Sequence, residues 1–195
     1  MMASNPQTNL MSFKVILFGD SGVEKTSIAN RIAHQQFLSS LPSTIAVGNY
    51  KVVIPVGNTQ VELKLWDTAG QERYKSIIPM FKRETSVCII VCSVDSPDSI
   101  NHINDWKKIM EEDGAQPLYY IVVNKTDLNG PIEDIRENLM MHFDEVHMVS
   151  AKTNDGIVEL FDQIAKELIS SSVNCADNMM EQEEKPIRKT RFCCL

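Results

Sequence analysis

Residues 13–26 read Phe-Lys-Val-Ile-Leu-Phe-Gly-Asp-Ser-Gly-Val-Glu-Lys-Thr. An apolar run ends in a glycine loop, and the loop ends in Lys25-Thr26 at the start of a helix-period stretch. The pattern is G-x-x-x-x-G-K-[ST] with one departure: Gly19 opens it, but Glu24 stands where the second glycine belongs. Such a turn aims the backbone N–H groups of Asp20, Ser21, Gly22, Val23 and Glu24 inward, and the following helix adds its positive N-terminal end. This is chemistry for phosphate: Lys25 would bridge outer phosphates as a point charge, and the Thr26 hydroxyl would ligate Mg²⁺. Glu24 works against it in two ways. A residue with a Cβ resists backbone angles that glycine accepts. Its carboxylate also repels phosphate: a like-charge pair at about 5 Å and an effective dielectric near 20 costs on the order of 3 kcal/mol, roughly a hundredfold in affinity.

Three further segments carry polar groups suited to the same ligand. Asp67-Thr68-Ala69-Gly70-Gln71 follows the run Val61–Trp66. There a carboxylate can hold a Mg²⁺-bound water, Gly70 can offer its N–H to a γ-phosphate, and Gln71 can orient an attacking water. Asn124-Lys125-Thr126-Asp127 follows Leu118–Val123. A carboxylate at Asp127 can accept two N–H bonds from a guanine edge, which adenine cannot supply, while the Lys125 stem can lie along a base. Ser150-Ala151-Lys152 follows Glu145–Val149 and can present a backbone N–H to the guanine oxygen. Each segment alone also reads as an ordinary turn after a strand. Together, four such segments end four strands in one order, where open parallel sheets bind ligands.

The elements that must position them are legible in outline. Apolar, β-rich runs lie at 13–18, 50–56, 60–66, 87–93, 118–123 and 145–149, with helix-period segments at about 25–36, 97–112, 131–142 and 155–170. Strands alternating with helices predict an α/β fold, a single domain with a mostly parallel six-stranded sheet and helices on both faces. Val56-Gly57-Asn58-Thr59 predicts a hairpin, so one edge strand should be antiparallel. Ser96-Pro97-Asp98-Ser99 starts a helix and Gly114 stops it. The last helix should bury Ile157, Leu160, Phe161, Ile164 and Leu168. Domain bounds follow: a loose polar leader at 1–11, the folded domain at 12–171, and a flexible tail at 172–195.

Composition excludes several classes. The chain has 195 residues, 43% of them hydrophobic, enough for one real core. A net charge of -7 and a pI of about 5.1 argue against general nucleic-acid binding. No run approaches a membrane span, the N-terminus has no charged-then-apolar signal peptide, and Met2 rather than glycine follows the initiator, which excludes N-myristoylation. Cys88 and Cys92 lie within an apolar run and read as small buried hydrophobes, so the compartment is expected to be reducing and cytosolic.

With these residues in view, the chain resembles the Ras-superfamily small GTPases, and most closely the Rab family, from Phe13 to Leu195. Trp66-Asp67-Thr68-Ala69-Gly70-Gln71-Glu72-Arg73-Tyr74 is similar to the Rab switch II signature through its full length. Thr44-Ile45 resembles the switch I threonine segment. The resemblance implies a GTP/GDP switch with Mg²⁺ that hydrolyses GTP slowly and regulates vesicle traffic, its two loops ordering around the γ-phosphate. It further implies Thr44 as a Mg²⁺ ligand and γ-phosphate sensor, Phe37 edge-on against the guanine, and Lys25, Thr44 and Gln71 as the catalytic set. Cys193-Cys194-Leu195 is similar to double-cysteine Rab ends that carry two geranylgeranyl chains, and two chains anchor stably where one does not. Four basic side chains, Lys185, Arg188, Lys189 and Arg191, lie beside Glu181, Glu183 and Glu184, so electrostatic help at an anionic membrane is modest. The implied protein is a monomer on the cytoplasmic face of intracellular membranes, cycling with the cytosol. Its implied partners are an exchange factor, a GTPase-activating protein, effectors, and the machinery for prenyl transfer and membrane extraction.

Departures from the family bear on partners and affinity. The family's T-I-G-V-D-F reads Thr44-Ile45-Ala46-Val47-Gly48-Asn49, so Asn49 replaces an aromatic that joins Trp66 and the counterpart of Phe81 in relatives. Trp66 and Phe81 either form an altered contact patch or pack under switch II. The stretch between Asp127 and Ser150 is short, which predicts a reduced helix. Glu24 also sustains a second reading, a membrane-anchored scaffold that binds nucleotide weakly or not at all and holds an exchange factor. An ATP-using kinase fails on Asn124–Asp127 and on the lack of an acceptor lid.

Overall fold

A computed structural model describes residues 9–37, 47–68, 82–112, 114 and 116–183. Its strands are β1 (Asn9–Phe18), β2 (Val47–Val56), β3 (Thr59–Thr68), β4 (Val87–Ser93), β5 (Leu118–Asn124) and β6 (Val146–Met148). They form one sheet in the order β2-β3-β1-β4-β5-β6. All neighbours are parallel except β2 and β3, which pair antiparallel from Val47↔Thr68 to Val56↔Thr59 around Gly57-Asn58. The expected hairpin and antiparallel edge strand are therefore present. Gly57 takes a φ of 58°, the left-handed region such a short turn needs.

The described helices are α1 (Lys25–His34), α2 (Pro97–Asn101), α3 (Ile103–Glu111), α4 (Ile132–Met140) and α5 (Ile157–Glu183). Alternation along the central strands sends side chains into two cores. Val15, Leu17, Ile89, Val91 and Val122 meet Ile28 and Ala29 of α1 and Ile157, Leu160, Phe161, Ile164, Ala165 and Leu168 of α5. Ile16, Phe18, Cys88, Ile90, Cys92, Ile121 and Val123 meet Ile103 and Met110 of α3 and Leu139 of α4. Strands buried on both faces read as continuous apolar runs, which is why β4 and β5 were legible. Burial pushes the Cys92 thiol up to about 12 and the Cys88 thiol higher still, so both behave as inert hydrophobes.

Beyond shifts of one to three residues at other ends, three boundaries differ from the sequence reading. β1 starts at Asn9, inside the stretch read as a loose leader, because Asn9–Met11 pair with Thr59–Val61 of the long hairpin. Asn-Leu-Met has no apolar alternation to announce this. The expected helix over 97–112 is two, α2 and α3, joined at His102 with φ −81° and ψ −2°. The last helix runs to Glu183, past the expected domain end at 171. Apolar periodicity ends near Leu168, but no glycine or proline follows before Pro186 to stop the helix. The helix between Asp127 and Ser150 is short, as expected, at nine residues. Among the described residues, no helix is long and apolar enough to cross a membrane.

Candidate functional site

The candidate residues gather at the carboxyl ends of β1, β3, β5 and β6. The register keeps these ends level: Leu17 lies opposite Asp67, Ser93 opposite Asn124, and Val123 opposite Met148. β1 runs straight into the loop Gly19–Glu24, and α1 begins at Lys25. Gly19 has φ 138°, and a Cβ there would stand 2.1 Å from the Val91 carbonyl oxygen. The loop thus packs backbone against backbone over β4, as a close phosphate cradle requires. Gly19→Ala is expected to lose about 1–3 kcal/mol of stability, measured by urea unfolding, and to push the loop away from β4.

Lys25 is 5% exposed and donates from Nζ to the carbonyls of Gly19 at 2.9 Å and Asp20 at 2.7 Å. The ammonium is held against the loop's own carbonyls. Burial lowers its pKa from 10.5 to about 8, with Asp67 and Asp20 pulling upward. The unfolded lysine then binds more protons than the folded one between about pH 8 and 10.5, so stability should rise with pH across that window. Lys25→Met should flatten this rise in urea midpoints. A bound diphosphate favours the charged form, so binding near the pKa of about 8 should take up a proton. Titration calorimetry in buffers of different ionisation enthalpy reads that uptake.

The Thr26 hydroxyl donates to Asp67 Oδ2 at 2.6 Å, and Asp67 is fully buried at the end of β3. The helix start and the β3 end thus place a hydroxyl and a carboxylate together, an oxygen donor pair suited to a hard cation. The oxygen chemistry of this pair fits a hard cation such as Mg²⁺.

At the base end, a cleft of ≈ 250 Å³ is lined by Glu24, Phe37, Asp95, Lys125, Asp127, Leu128 and Lys152. Asp127 Oδ1 accepts from the Ser150 hydroxyl at 2.7 Å, and Lys152 Nζ lies 3.3 Å from Oδ2. The Ser150 bond, opposed by burial and helped by Lys152, holds the Asp127 carboxyl below its usual range. An ionised carboxylate with acceptor capacity left for two N–H groups fits a guanine edge. Lys125, at φ 65°, donates from Nζ to Asp95 Oδ2 at 2.8 Å. Asn124 is fully buried and has both polar ends engaged: Nδ2 donates to Val23 O at 3.0 Å, and Oδ1 accepts from Ala151 N–H at 3.0 Å. It ties the phosphate loop to the loop after β6. The Ala151 N–H, offered by the sequence to a guanine oxygen, is therefore already donated to Asn124 and would have to be shared.

Glu24 caps α1 with φ 67° and ψ 41°, a left-handed conformation, and makes no side-chain cap bond. The expected backbone conflict is thus real. Glu24 also lines the cleft with Phe37, Lys125 and Lys152.

Several contacts of the site escaped the sequence reading. Asp20 takes bonds to its carboxylate from the Trp106 indole at 2.8 Å and from His102 Nδ1 at 2.7 Å. The Asp20 hydrogen bond raises the His102 pKa. Asp95 also accepts from Ser93 Oγ at 2.7 Å; burial pushes its pKa up, but the Lys125 and Ser93 bonds outweigh this and hold it low. Arg31 reaches the loop after β6 from α1. Apart from the Ser93–Asp95 bond, no local pattern marks these contacts, because each partner lies far away in the chain.

Trp66 is half-buried on β3, with Lys14 Nζ 4.7 Å from its ring and Asn49 opposite it on β2. Thr44, Gly70, Gln71, Phe81, Cys193 and Cys194 lie outside the described residues.

Comparison with known proteins agrees with this geometry. A model of the Ras family matches residues 14–170. The chain is 32% identical to the Ras-related protein Rab5 of Nicotiana tabacum, over 99% of this chain and 100% of that protein. It is 30% identical to the Ras-related protein Rab-31 of Homo sapiens, over 95% and 98%. It is 34% identical to the Ras-related protein RHN1 of Nicotiana plumbaginifolia, over 86% of each. With a phosphate loop, a hydroxyl–carboxylate pair and an acidic base cleft on a sheet of this order, the chain belongs to the Rab family of Ras-superfamily small GTPases.

Proposed function

We propose that this protein is a Rab-type GTP/GDP switch that hydrolyses GTP slowly and regulates vesicle and membrane traffic. The observation that carries the reading is the meeting, at one end of the sheet, of Lys25 against the loop's carbonyls, the Thr26–Asp67 pair and the Asp127 carboxylate. Lys25 bridges the outer phosphates, and the backbone of residues 19–24 cradles them. Thr26, Thr44 and, through a water, Asp67 would hold Mg²⁺, which would supply positive charge against the phosphates. Gly70 contacts the γ-phosphate, and Gln71 orients the attacking water. Phe37, Lys125, Asp127 and the 150–152 loop read the base, and Asn124 fixes that loop to the phosphate loop. Fast turnover calls for a GTPase-activating protein, whose arginine finger is worth on the order of 10³–10⁵ in rate.

Cys193 and Cys194 carry two prenyl groups, and the monomer cycles between the cytosol and the cytoplasmic face of intracellular membranes. Effectors and regulators read the switch loops and the patch around Trp66 and Phe81. The test of the enzyme is single-turnover GTP hydrolysis with Mg²⁺. Protein that binds GTP yet shows no hydrolysis, even with a broad-acting activator, removes the enzymatic half of the reading.

The left-handed Glu24 favours a second reading, a prenylated scaffold that binds nucleotide weakly or not at all. Calorimetric titration with GDP separates the two. Nanomolar binding by the natural chain discards the scaffold, and no binding at all discards the switch.

A further inference from the structure

We propose that Arg31 is the positioning residue of the base end of the nucleotide site, holding the 151–152 loop and Phe37 in register with α1. The inference rests on the nucleotide-binding reading above. Arg31 lies in the last turn of α1, whose first residues are Lys25 and Thr26. Its Nε donates to Ala151 O at 2.8 Å, and its Nη2 donates to Lys152 O at 2.8 Å. Its Nη1 donates to Gln35 O at 3.2 Å. The guanidinium carbon stands 5.8 Å from the centre of the Phe37 ring.

These four contacts join three parts of the site that are distant in sequence. The planar fork matches the Ala151 and Lys152 carbonyls, a geometry that a lysine ammonium on a flexible stem does not reproduce. The chain leaves α1 through Gln35 at φ 55°, and Gln35 N–H bonds back to Arg31 O at 2.9 Å. Arg31 therefore grips the exit of its own helix by backbone and side chain, and Phe37 follows two residues later. On the far side, Asn124 holds the Ala151 N–H while Arg31 holds the Ala151 carbonyl. Lys152, whose carbonyl Arg31 also holds, is the ion-pair partner of Asp127. One rigid helix thus has its N-terminal end at the phosphates and its C-terminal end fastened to the base-reading loop.

The consequence is selective. Loss of Arg31 should loosen base recognition and leave phosphate binding intact, because Lys25, Thr26 and Gly19 keep their own partners. The experiment compares the full chain with Arg31→Lys and Arg31→Gln, titrating GDP and inorganic pyrophosphate separately. Amide exchange at 151–153 and at 20–26 is followed in the same proteins. GDP affinity should fall roughly tenfold or more in both variants, while pyrophosphate affinity stays within about twofold. Exchange should rise at 151–153 only. Equal losses for both ligands, or no loss of GDP affinity, overturn the proposal. If the natural chain binds neither ligand, the switch reading fails on its own, and exchange still judges Arg31: unchanged protection at 151–153 in both variants overturns it.

Discussion

Asn124→Ala is expected to cost about 2–6 kcal/mol of folding stability, since each of two buried polar groups left without a partner costs about 1–3 kcal/mol. The side chain is fully buried, and its amide joins Val23 O and Ala151 N–H, each at 3.0 Å. Alanine leaves both backbone groups without that partner, at the junction of two loops that must act together. Val23 is itself buried in the core shared by α1 and α5, so the phosphate loop cannot easily tilt to find another donor. Urea unfolding measures the loss. Asn124→Asp locates its origin: the acceptor for Ala151 N–H survives, while the donor to Val23 O becomes a carboxylate facing a carbonyl. The 150–152 loop should then stay protected in amide exchange while residues 20–26 lose protection. Equal stability of Asn124→Ala and the natural chain would refute the clamp.

Glu24→Gly should tighten GDP binding by about tenfold to a hundredfold and leave folding nearly unchanged or slightly improved. Two terms contribute, and the structure separates them. Glu24 sits at φ 67° and ψ 41°, where a residue with a Cβ is disfavoured by roughly 1–2 kcal/mol. Glycine removes that strain but gives back about 0.5–1 kcal/mol through the greater freedom of its unfolded chain. The net stability gain is therefore about 1 kcal/mol or less. The affinity term is electrostatic. A carboxylate facing phosphate at about 5 Å would cost on the order of 3 kcal/mol. Yet Glu24 is only half-buried at the edge of the base cleft, so solvent screens part of its field. The gain should thus fall below the full hundredfold. Glu24→Gln isolates the charge while keeping the backbone strain, so calorimetric GDP titration of both variants apportions the effect. If Glu24→Gly binds GDP no more tightly than the natural chain, Glu24 does not weaken the site.

Much of the fold was legible because its strands are buried on both faces and so appear as unbroken apolar runs. Val87-Cys88-Ile89-Ile90-Val91-Cys92 is the clearest, and all six residues are buried. The hairpin was legible from Gly57-Asn58, whose turn needs a left-handed residue. The ends were harder. Asn9–Met11 join the sheet only because β3 extends beside them, and α5 continues to Glu183 without an apolar stripe to mark it. Propensity and the absence of breakers carry that last part, and neither shows in a periodicity.

The candidate site divides in the same way. Lys25, Thr26, Asp67, Asn124, Asp127 and Ser150 could be picked from sequence because each follows a recognisable strand, and strand ends converge in an open parallel sheet. Their roles relative to one another could not. That Asn124 binds Val23 and Ala151, that Asp95 takes Lys125, and that His102 and Trp106 grip Asp20 are facts of tertiary approach. Local sequence determined which chemistry the chain could hold, because residue types and turn geometry are set by neighbours along the backbone. Only the folded sheet decided which hydrogen bonds are already taken, and that Glu24 faces the base cleft. Those outcomes depend on distances between segments that the order of residues does not encode locally.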